Sequence, residues 1–452
     1  MTAVQQVRLA LDEAVARAAL AALADQPVPP AAKGFAGLDP VVGPATGRQF
    51  AAAGAAVGDP AFSTPLLVLR DAAIEHNIAT MAGYCRRRDV LLAPHAKTTM
   101  SPEVFVRQLR AGAWALTAAN VWQASVFVRF GARRVLIANE VVDRASIRRL
   151  AAMLAAAPGL EVCVYVDSVP GVGLLDEELG RAWAEDGDAP GRRLPVLIEH
   201  GLPGRRAGVR TLADGLVVAR AAAATGTLSV VGAAGFEGVV GTVRDDEALA
   251  GADAFCRGVR VLGEALAGES LLGGGFGTAP DDPSLLLSAG GSHYFDRVAD
   301  ELRQARVPVR VVVRSGSYVV HDHGGYRHGS PFPDVDSPEF RPAMEVRASV
   351  LSRPQPDQVL LDAGRRDLSF DSGLPFVLAG WSGARAVAVE GAEVTDLNDQ
   401  HAFVRVPAQS ALQPGDVVVL GISHPCTTFD KWDLAVLADD NDRVVGLAHT
   451  FF

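Results

Sequence analysis

Eight short apolar runs recur along the middle of the chain, and helix-like segments separate most neighbouring pairs. The runs lie at residues 90–93, 114–118, 134–138, 160–166, 194–199, 228–233, 270–272 and 309–314. Strands that alternate with helices form parallel βαβ units, and eight units over roughly 250 residues are typical of a closed (β/α)8 barrel. Active sites of such barrels lie at the C-terminal ends of the strands. The pattern therefore predicts an α/β fold and indicates where chemistry is expected.

The texture changes after about residue 329, where short β-branched runs are separated by turn residues. These runs lie at 346–351, 358–361, 386–389, 401–406, 416–420 and 444–447. They predict an antiparallel β domain over residues 329–452, which follows the barrel at 61–328. Residues 1–60 are interpreted as an N-terminal extension packed on the body, with a helix at 4–24 that the proline-rich stretch 26–30 ends.

Composition argues against several kinds of partner. The chain has 42 Lys and Arg against 52 Asp and Glu, and a formal charge of −10 is unfavourable for binding nucleic acid. The four cysteines form no CxxC pair, which argues against a disulfide framework or a structural zinc cluster. No uncharged run is long enough to span a membrane. We expect a cytoplasmic protein that binds neither nucleic acid nor membrane.

The segment 91–99, at the end of the first barrel run, holds a lysine in an unusual place. On a strand, side chains alternate between faces, so His95 and Lys97 would lie side by side. Apolar surroundings lower the pKa of a lysine and free its amine for Schiff-base chemistry. The alternative is an ordinary lysine that extends its charge from a strand end into water. Lys97 and His95 are therefore the candidate catalytic residues.

Two segments at predicted strand ends could bind a phosphate. The run GGGFGT follows the predicted seventh strand, so Gly274 and Gly275 could offer backbone N–H groups and Thr278 a hydroxyl. Barrels of this kind often bind phosphate after strands seven and eight, although glycines serve equally in tight turns. After the eighth strand, Ser317 and Tyr318 could reach the same phosphate.

Arginines and a possible metal pair complete the set of candidates. Arg205 and Arg206 follow the fifth strand, where a guanidinium could bind a phenolate or carboxylate, and an exposed turn is the default reading for Arg205. In the C-terminal domain, His424 and Cys426 would project to one side of an extended segment. Imidazole and thiolate favour zinc, and two ligands leave positions open for water or substrate. The alternative is a buried free cysteine beside a structural histidine.

Together these segments resemble the fold-type III pyridoxal 5′-phosphate (PLP) enzymes with an alanine racemase-like barrel, specifically the D-serine dehydratase and D-threonine aldolase branch. The resemblance covers about residues 60–452. It is carried by PHAKT at 94–98, RAGV at 206–209, GGG at 273–275, LDAG at 361–364, His401 and HPC at 424–426. The longer segment HAKTTMSP is similar to bacterial amino acid deaminases of the same branch.

The resemblance implies a role for each matching residue. Lys97 would carry PLP as a Schiff base, Arg206 would contact its phenolate oxygen, and the glycine run would bind its phosphate. His424 and Cys426 would bind Zn²⁺, or Mn²⁺ or another divalent ion. This HxC pair is similar to that of D-serine dehydratases, whereas D-threonine aldolases more often pair His with Asp. Phe236 departs from the pattern, because related sequences often carry a Tyr whose hydroxyl could bond to cofactor or substrate.

The sequence thus predicts a PLP- and zinc-dependent dehydratase (deaminase). Its substrate would be a D-3-hydroxy amino acid such as D-serine or D-threo-3-hydroxyaspartate, and its products a 2-keto acid and ammonia. Alternatives are a metal-dependent D-threonine aldolase, which gives glycine and an aldehyde, and a non-catalytic PLP carrier, a class that lacks a large C-terminal domain. A racemase is less favoured because it uses a Tyr of the β domain, and no Tyr follows Tyr326. A homodimer is expected from the resemblance.

Overall fold

Two β-sheets organise the chain in the computed structural model. It describes residues 10–29, 32–35, 45–185, 187, 191–241, 243–279, 284–332 and 339–452. One sheet has eight parallel strands, and the other has ten mostly antiparallel strands. The α/β architecture predicted from the sequence, a barrel followed by an antiparallel β domain, is confirmed.

The helices and strands of the first part follow each other in the predicted alternation. They are α1 (Glu13–Ala24), α2 (Gly47–Ala53), β1 (Leu66–Arg70), α3 (Asp71–Arg88), β2 (Leu91–Leu92), α4 (Pro102–Arg110), β3 (Leu116–Ala118), α5 (Val121–Arg129), β4 (Arg134–Glu140), α6 (Arg144–Ala156), β5 (Glu161–Val166), α7 (Val169–Glu185), β6 (Leu194–His200), α8 (Leu212–Ala223), β7 (Leu228–Gly235), α9 (Asp246–Gly268), β8 (Leu285–Ala289), α10 (Phe295–Leu302), β9 (Val309–Val313) and α11 (Gly325–Gly329).

The second part is almost entirely β-structure. Its elements are β10 (Met344–Gln355), β11 (Gln358–Leu361), β12 (Phe376–Ser382), β13 (Arg385–Val387), β14 (Glu393–Leu397), β15 (Ala402–Arg405), β16 (Val417–Gly421), α12 (Cys426–Phe429), β17 (Leu434–Ala438) and β18 (Val444–His449).

Strands β2 to β9 curl into the barrel in the order β2-β9-β8-β7-β6-β5-β4-β3. The two ends of this series meet, because the Trp114 N–H donates to the Leu92 carbonyl at 2.7 Å and His95 forms a parallel bridge with Thr117. Fully buried side chains such as Leu197 and Leu286 fill the interior. A filled interior leaves the C-terminal strand ends as the place for a site.

The predicted seventh strand, 270–272, is wrong. The seventh barrel strand is β8, which is buried throughout, whereas Leu271 and Leu272 are only half-buried. After α9 the chain crosses the N-terminal end of the barrel, where the Gly273 N–H donates to the Val230 carbonyl at 2.7 Å. The run 270–272 is apolar, but it is too short and too exposed to form a strand of the sheet.

Strand β1 joins the two parts of the molecule. It pairs with β10 in antiparallel and with β17 in parallel orientation. The second sheet therefore includes a strand that precedes the barrel in the chain.

The N-terminal segment contacts the barrel and the second sheet. The Asp12 N–H donates to the Gly131 carbonyl at 2.7 Å, and α2 packs on β18. Helix α1 occupies 13–24 of the predicted 4–24, and residues 4–9 lie outside the described residues. None of the described helices is both long and apolar enough to cross a membrane.

Candidate active site

A cavity of about 590 Å³ opens at the C-terminal ends of the barrel strands. Six residues singled out from the sequence line it: His95, Lys97, Arg206, Ser317, His424 and Cys426. The first four belong to the barrel segments, and the last two come from the β domain. The fold thus brings the predicted Schiff-base lysine and the predicted metal pair into one space.

Lys97 reaches the cavity from a turn rather than from a strand. Strand β2 ends at Leu92, and Lys97 lies in the 3-10 turn Ala96–Thr98, so the alternation assumed for this segment does not hold. Burial lowers the pKa of Lys97, the nearby Cys426 opposes this effect, and Arg206 reinforces it. The direction agrees with the sequence-based expectation of an amine that is readily deprotonated.

His95 is a buried imidazole beside this lysine. Its Nδ1 has no hydrogen-bond partner among the described residues. Burial, together with the positive charges of Lys97, Arg314 and Arg206, lowers the pKa of His95 well below its usual value. His95 is therefore neutral at physiological pH and has a ring nitrogen free to bond to a group in the cavity.

The metal pair lies at the start of a short helix. Pro425 has helical dihedral angles and precedes α12, so the predicted extended geometry is wrong, although both side chains still face the cavity. The Cys426 Sγ lies 3.5 Å from Thr98 Oγ1 and 3.8 Å from Ser317 Oγ. These contacts hold the thiol against the barrel ends that follow β2 and β9.

Asp371 orients the histidine of this pair. The His424 Nδ1 donates to Asp371 Oδ2 at 2.8 Å, which leaves Nε2 as the ring nitrogen available to a metal. Thr427 Oγ1 donates to the other carboxylate oxygen at 2.7 Å. A carboxylate that accepts from the second ring nitrogen is the usual support of a metal-binding histidine.

The pair can bind a divalent cation once the imidazole has lost its proton. Burial raises the pKa of Cys426, but hydrogen bonds from His424 and Thr98 outweigh it and lower the pKa overall. Burial disfavours a charged His424, yet Cys426 and Asp371 raise its pKa to about 9. In the described part of the chain no group of three or more His, Cys, Asp or Glu could hold a metal. A metal held by this pair would take its further ligands from water or substrate.

The glycine run chosen from the sequence is not part of this cavity. Ser229 Oγ, at the start of β7, donates to the Gly274 carbonyl at 3.0 Å, so the run lies at the N-terminal end of the barrel. The Gly275 N–H is 3.4 Å from Thr278 Oγ1, which makes a local turn. The predicted placement of Gly274, Gly275 and Thr278 beside Lys97 is wrong, because the strand thought to precede them does not exist.

A different glycine pair lies at the cavity, in the loop after the seventh barrel strand. Gly290, Gly291 and Ser292 directly follow β8, the true seventh strand, and Gly290 and Gly291 line the cavity together with Ser317. A Cβ atom at Gly290 would lie 2.5 Å from the backbone nitrogen of Arg314, so only glycine fits there. The signal in the sequence was a glycine pair after the buried run LLLSA.

Tyr318 was also misplaced. It is 2 % exposed, and its hydroxyl accepts a 2.8 Å hydrogen bond from Gln108 Nε2 on the far side of the turn from Ser317. It lines a separate cavity beside α3 and α4. Neighbouring residues of a tight turn point in different directions, so only Ser317 faces the site.

Arg206 lines the cavity from an exposed loop. Its guanidinium carbon lies 5.3 Å from the centre of the Phe236 ring. Phe236, where the resemblance leads us to expect a Tyr, therefore offers the cation the face of its ring and no hydroxyl. Arg205 is exposed, as its default reading predicts.

Two buried glutamates were missed by the sequence reasoning. Glu199, at the end of β6, lines the cavity and is hydrogen-bonded to Glu140 from the end of β4. Burial and the nearby Glu140 raise the pKa of Glu199 to about 9. Burial also raises the pKa of Glu140. Glu199 is therefore a neutral acid at physiological pH, able to donate a hydrogen bond.

Arg314 and two aromatic residues complete the walls. Arg314 is 1 % exposed and donates to Ser288 Oγ and to the Gly235 carbonyl at 2.6 and 2.7 Å, which ties together three strands below the cavity. The rings of His293 and Tyr326 stack with their centres 4.7 Å apart. Arg314 and His293 lie on loops and Tyr326 lies in the short helix α11, where no periodic pattern marks them in the sequence.

The donor set fits a phosphate-bearing aldehyde together with a divalent metal. A deprotonated Lys97 can form a Schiff base, and the backbone of the glycine pair can bind a phosphate. The guanidinium of Arg206 can bind an anionic oxygen. The unpartnered Nδ1 of His95 is a further group that a ligand would satisfy.

Comparisons with known proteins agree with this chemistry. A family model described as a putative serine dehydratase domain matches residues 343–438. A D-threonine aldolase of an Arthrobacter species is 31% identical over 396 residues, which cover 85% of this chain and 91% of that protein. A 3-hydroxy-D-aspartate aldolase of Paracoccus denitrificans is 30% identical over 321 residues, covering 70% and 75%.

Solved structures show the same architecture. The D-threonine aldolase from Filomicrobium marinum superposes with a TM-score of 0.71 and 27% identity, covering 86% of this chain and 95% of that one. The D-threo-3-hydroxyaspartate dehydratase from Delftia sp. HT23 gives a TM-score of 0.67 at 21% identity, covering 86% and 97%. The latter similarity supports the fold alone.

Proposed function

Because this chain belongs to the D-threonine aldolase and D-serine dehydratase family of PLP-dependent lyases, we propose that it is a zinc-dependent dehydratase (deaminase) of a D-3-hydroxy amino acid. Substrates such as D-serine or D-threo-3-hydroxyaspartate would give a 2-keto acid and ammonia. The observation that carries the proposal is that Lys97 lines the same cavity as His424 and Cys426.

The barrel side of the cavity would hold PLP. Lys97 would bind its aldehyde carbon, Arg206 its phenolate oxygen, and the loop of Gly290 and Gly291, with Ser317, its phosphate. When bound, PLP supplies an electron sink for the negative charge that develops at the substrate α-carbon. Arg314 supports this side by holding the ends of the strands together.

The β-domain side of the cavity would hold zinc. His424 Nε2 and the Cys426 thiolate are its proposed ligands, and Asp371 fixes the imidazole. Zinc supplies Lewis acidity that favours departure of the β-hydroxyl as hydroxide. Cys426, in place of the Asp more often found in aldolases, supports elimination over retro-aldol cleavage.

Lys97 and His95 would handle the α-proton. Burial lowers the pKa of both groups, so Lys97 is more readily present as a free amine, whereas His95 becomes a weaker base. Lys97 is the proposed base, since its flexible amine faces the cavity, and His95 either accepts the proton in turn or positions the lysine. Proton acceptance by a buried, partly desolvated amine is efficient when its pKa is close to the working pH.

The test is a product analysis with purified protein. Incubation with D-serine should yield pyruvate and ammonia, and removal of metal by a chelator should abolish the reaction until zinc is restored. Glycine and acetaldehyde from D-threonine would instead establish the alternative function, which is supported by the relatives named aldolase. A yellow protein that turns over no D-amino acid would favour a PLP carrier.

The expected homodimer is also a proposal. Light scattering should report twice the 47.2 kDa of one chain. A monomer in solution would contradict it.

A further inference from the structure

The segment after β18 contributes an aromatic ring to the cavity. Phe452 lines the cavity and is 47 % exposed. The preceding Phe451 anchors the segment, because its N–H donates to the Met100 carbonyl at 3.2 Å and its ring lies 5.3 Å from that of Phe130. Met100 follows the turn of Lys97, so the anchor holds Phe452 at the cavity that Lys97 also lines. Phe451 is held by packing, which leaves the ring of Phe452 available to a ligand.

Asp430 faces the same space from the metal side. It lies four positions after Cys426, one helical turn along α12, and lines the cavity. Its side chain is 45 % exposed, and its carboxylate is 3.3 Å from Lys431 Nζ. Lys431 itself borders a different cavity, near Lys33. Asp430 is therefore an anionic group in the cavity wall, and Lys431 compensates part of its charge.

The cationic side chains that line the cavity already have hydrogen-bond partners or a proposed role. Arg314 is committed to Ser288 and Gly235, and Arg206 is assigned to the cofactor phenolate. Burial and the charge of Arg244 lower the pKa of His293 to about 4, so it is neutral. Among the described residues that line the cavity, no cationic side chain is left to receive a second carboxylate of the substrate.

We propose that Phe452 and Asp430 form the pocket for the substituent on the substrate β-carbon and select a neutral, preferably aromatic, substituent over a carboxylate. Of the two substrates named above, this pocket favours D-serine over D-threo-3-hydroxyaspartate. The inference rests on the proposed function only in taking the substrate as a D-3-hydroxy amino acid held between Lys97 and the His424–Cys426 pair. If the β-hydroxyl were held at the His424–Cys426 pair, the remaining β-substituent would lie in the part of the same cavity that Asp430 and Phe452 line. A carboxylate there meets a like charge, whereas an aryl ring packs against Phe452.

The experiment measures binding rather than turnover. Holoenzyme reconstituted with PLP and zinc is mixed in a stopped-flow instrument with D-serine, D-3-phenylserine or D-threo-3-hydroxyaspartate at several concentrations. The change of its visible absorbance before product forms gives each dissociation constant. The wild type should bind phenylserine most tightly and hydroxyaspartate most weakly. Phe452→Ala should weaken phenylserine binding about tenfold and D-serine binding less than about twofold, and Phe452→Leu should lie between.

Asp430→Asn should strengthen binding of hydroxyaspartate about fivefold and leave D-serine nearly unchanged, since a half-exposed charge is partly screened. Asp399→Asn is the matched control: this exposed carboxylate lies 3.4 Å from Arg366 in the β domain and does not line the cavity. It should change none of the three constants.

The outcomes separate the inference from the proposed function. Tighter binding of hydroxyaspartate than of phenylserine by the wild type, or unchanged constants in the Phe452 and Asp430 variants, overturns the pocket assignment. A holoenzyme whose visible band responds to none of the three ligands overturns it as well. The expected binding preferences without formation of keto acid would refute the dehydratase and leave the pocket assignment standing.

Discussion

Replacing Asp371 by asparagine tests the metal site through a residue that is not itself a proposed ligand. The carboxylate accepts from His424 Nδ1 at 2.8 Å and so presents Nε2 to the metal. Asparagine keeps the shape but removes the charge that strengthens this bond and the basicity of the imidazole. Loss of such a support typically costs tenfold to a hundredfold in metal affinity.

The exposure of Asp371 puts the expected loss of zinc affinity at the lower end of that range. The Asp371 side chain is 43% exposed, so solvent screens part of its charge. We expect zinc to bind about tenfold more weakly, which corresponds to about 1.4 kcal/mol. Thr427→Val is the matched control, because it removes the 2.7 Å bond to Asp371 but keeps the charge, and it should cost less.

The assay is competition for zinc between the protein and a chelator of known affinity, read by metal analysis after dialysis. His424→Ala and Cys426→Ala should each bind zinc far more weakly than Asp371→Asn. If Asp371→Asn holds zinc as tightly as the wild type while His424→Ala loses it, the carboxylate does not support the ligand as argued. If none of the variants changes zinc affinity, the metal site is elsewhere.

Three further predictions follow from the geometry. Lys97→Ala should lose the visible absorbance band of the PLP-loaded protein, and a retained band would exclude it as the anchor. Ser317→Ala should weaken PLP binding several-fold, whereas Tyr318→Phe and Thr278→Ala, both outside the cavity, should not; fluorescence titration with PLP distinguishes them. The pKa of Glu199 rises from the usual 4.5 to about 9 on folding, so its contribution to stability is fully present below pH 4.5 and is lost as pH rises toward 9. Glu199→Gln should therefore show a flatter dependence of the melting temperature on pH between 5 and 9, and identical curves would contradict a neutral Glu199.

Local patterns were sufficient to predict the architecture. Seven of the eight apolar runs coincide with barrel strands, since parallel strands buried on both faces are continuous apolar segments. The antiparallel domain was recognisable from its short β-branched runs and turns. Lys97 and the pair His424 and Cys426 could be selected because their residue types are chemically unusual in their settings, and the resemblance to a known family joined them.

The glycine run shows where such reasoning fails. In the sequence, the run GGGFGT and the pair Gly290 and Gly291 look equally suited to bind a phosphate. Which of them lies at the C-terminal end of the barrel depends on which apolar run enters the sheet, and burial decides this. The prediction for Tyr318 is wrong for a related reason, because the direction of a side chain in a turn depends on backbone geometry.

The sequence by itself determined the alternation of strands and helices, and with it the edge of the barrel where Lys97 would lie. The tertiary structure alone decided that His424 and Cys426 meet Lys97 and that Glu199 shares a hydrogen bond with Glu140. It also decided that Phe452 borders the cavity. The physical reason is that periodicity reports which residues are buried within an element, whereas contacts between distant segments depend on how the elements pack.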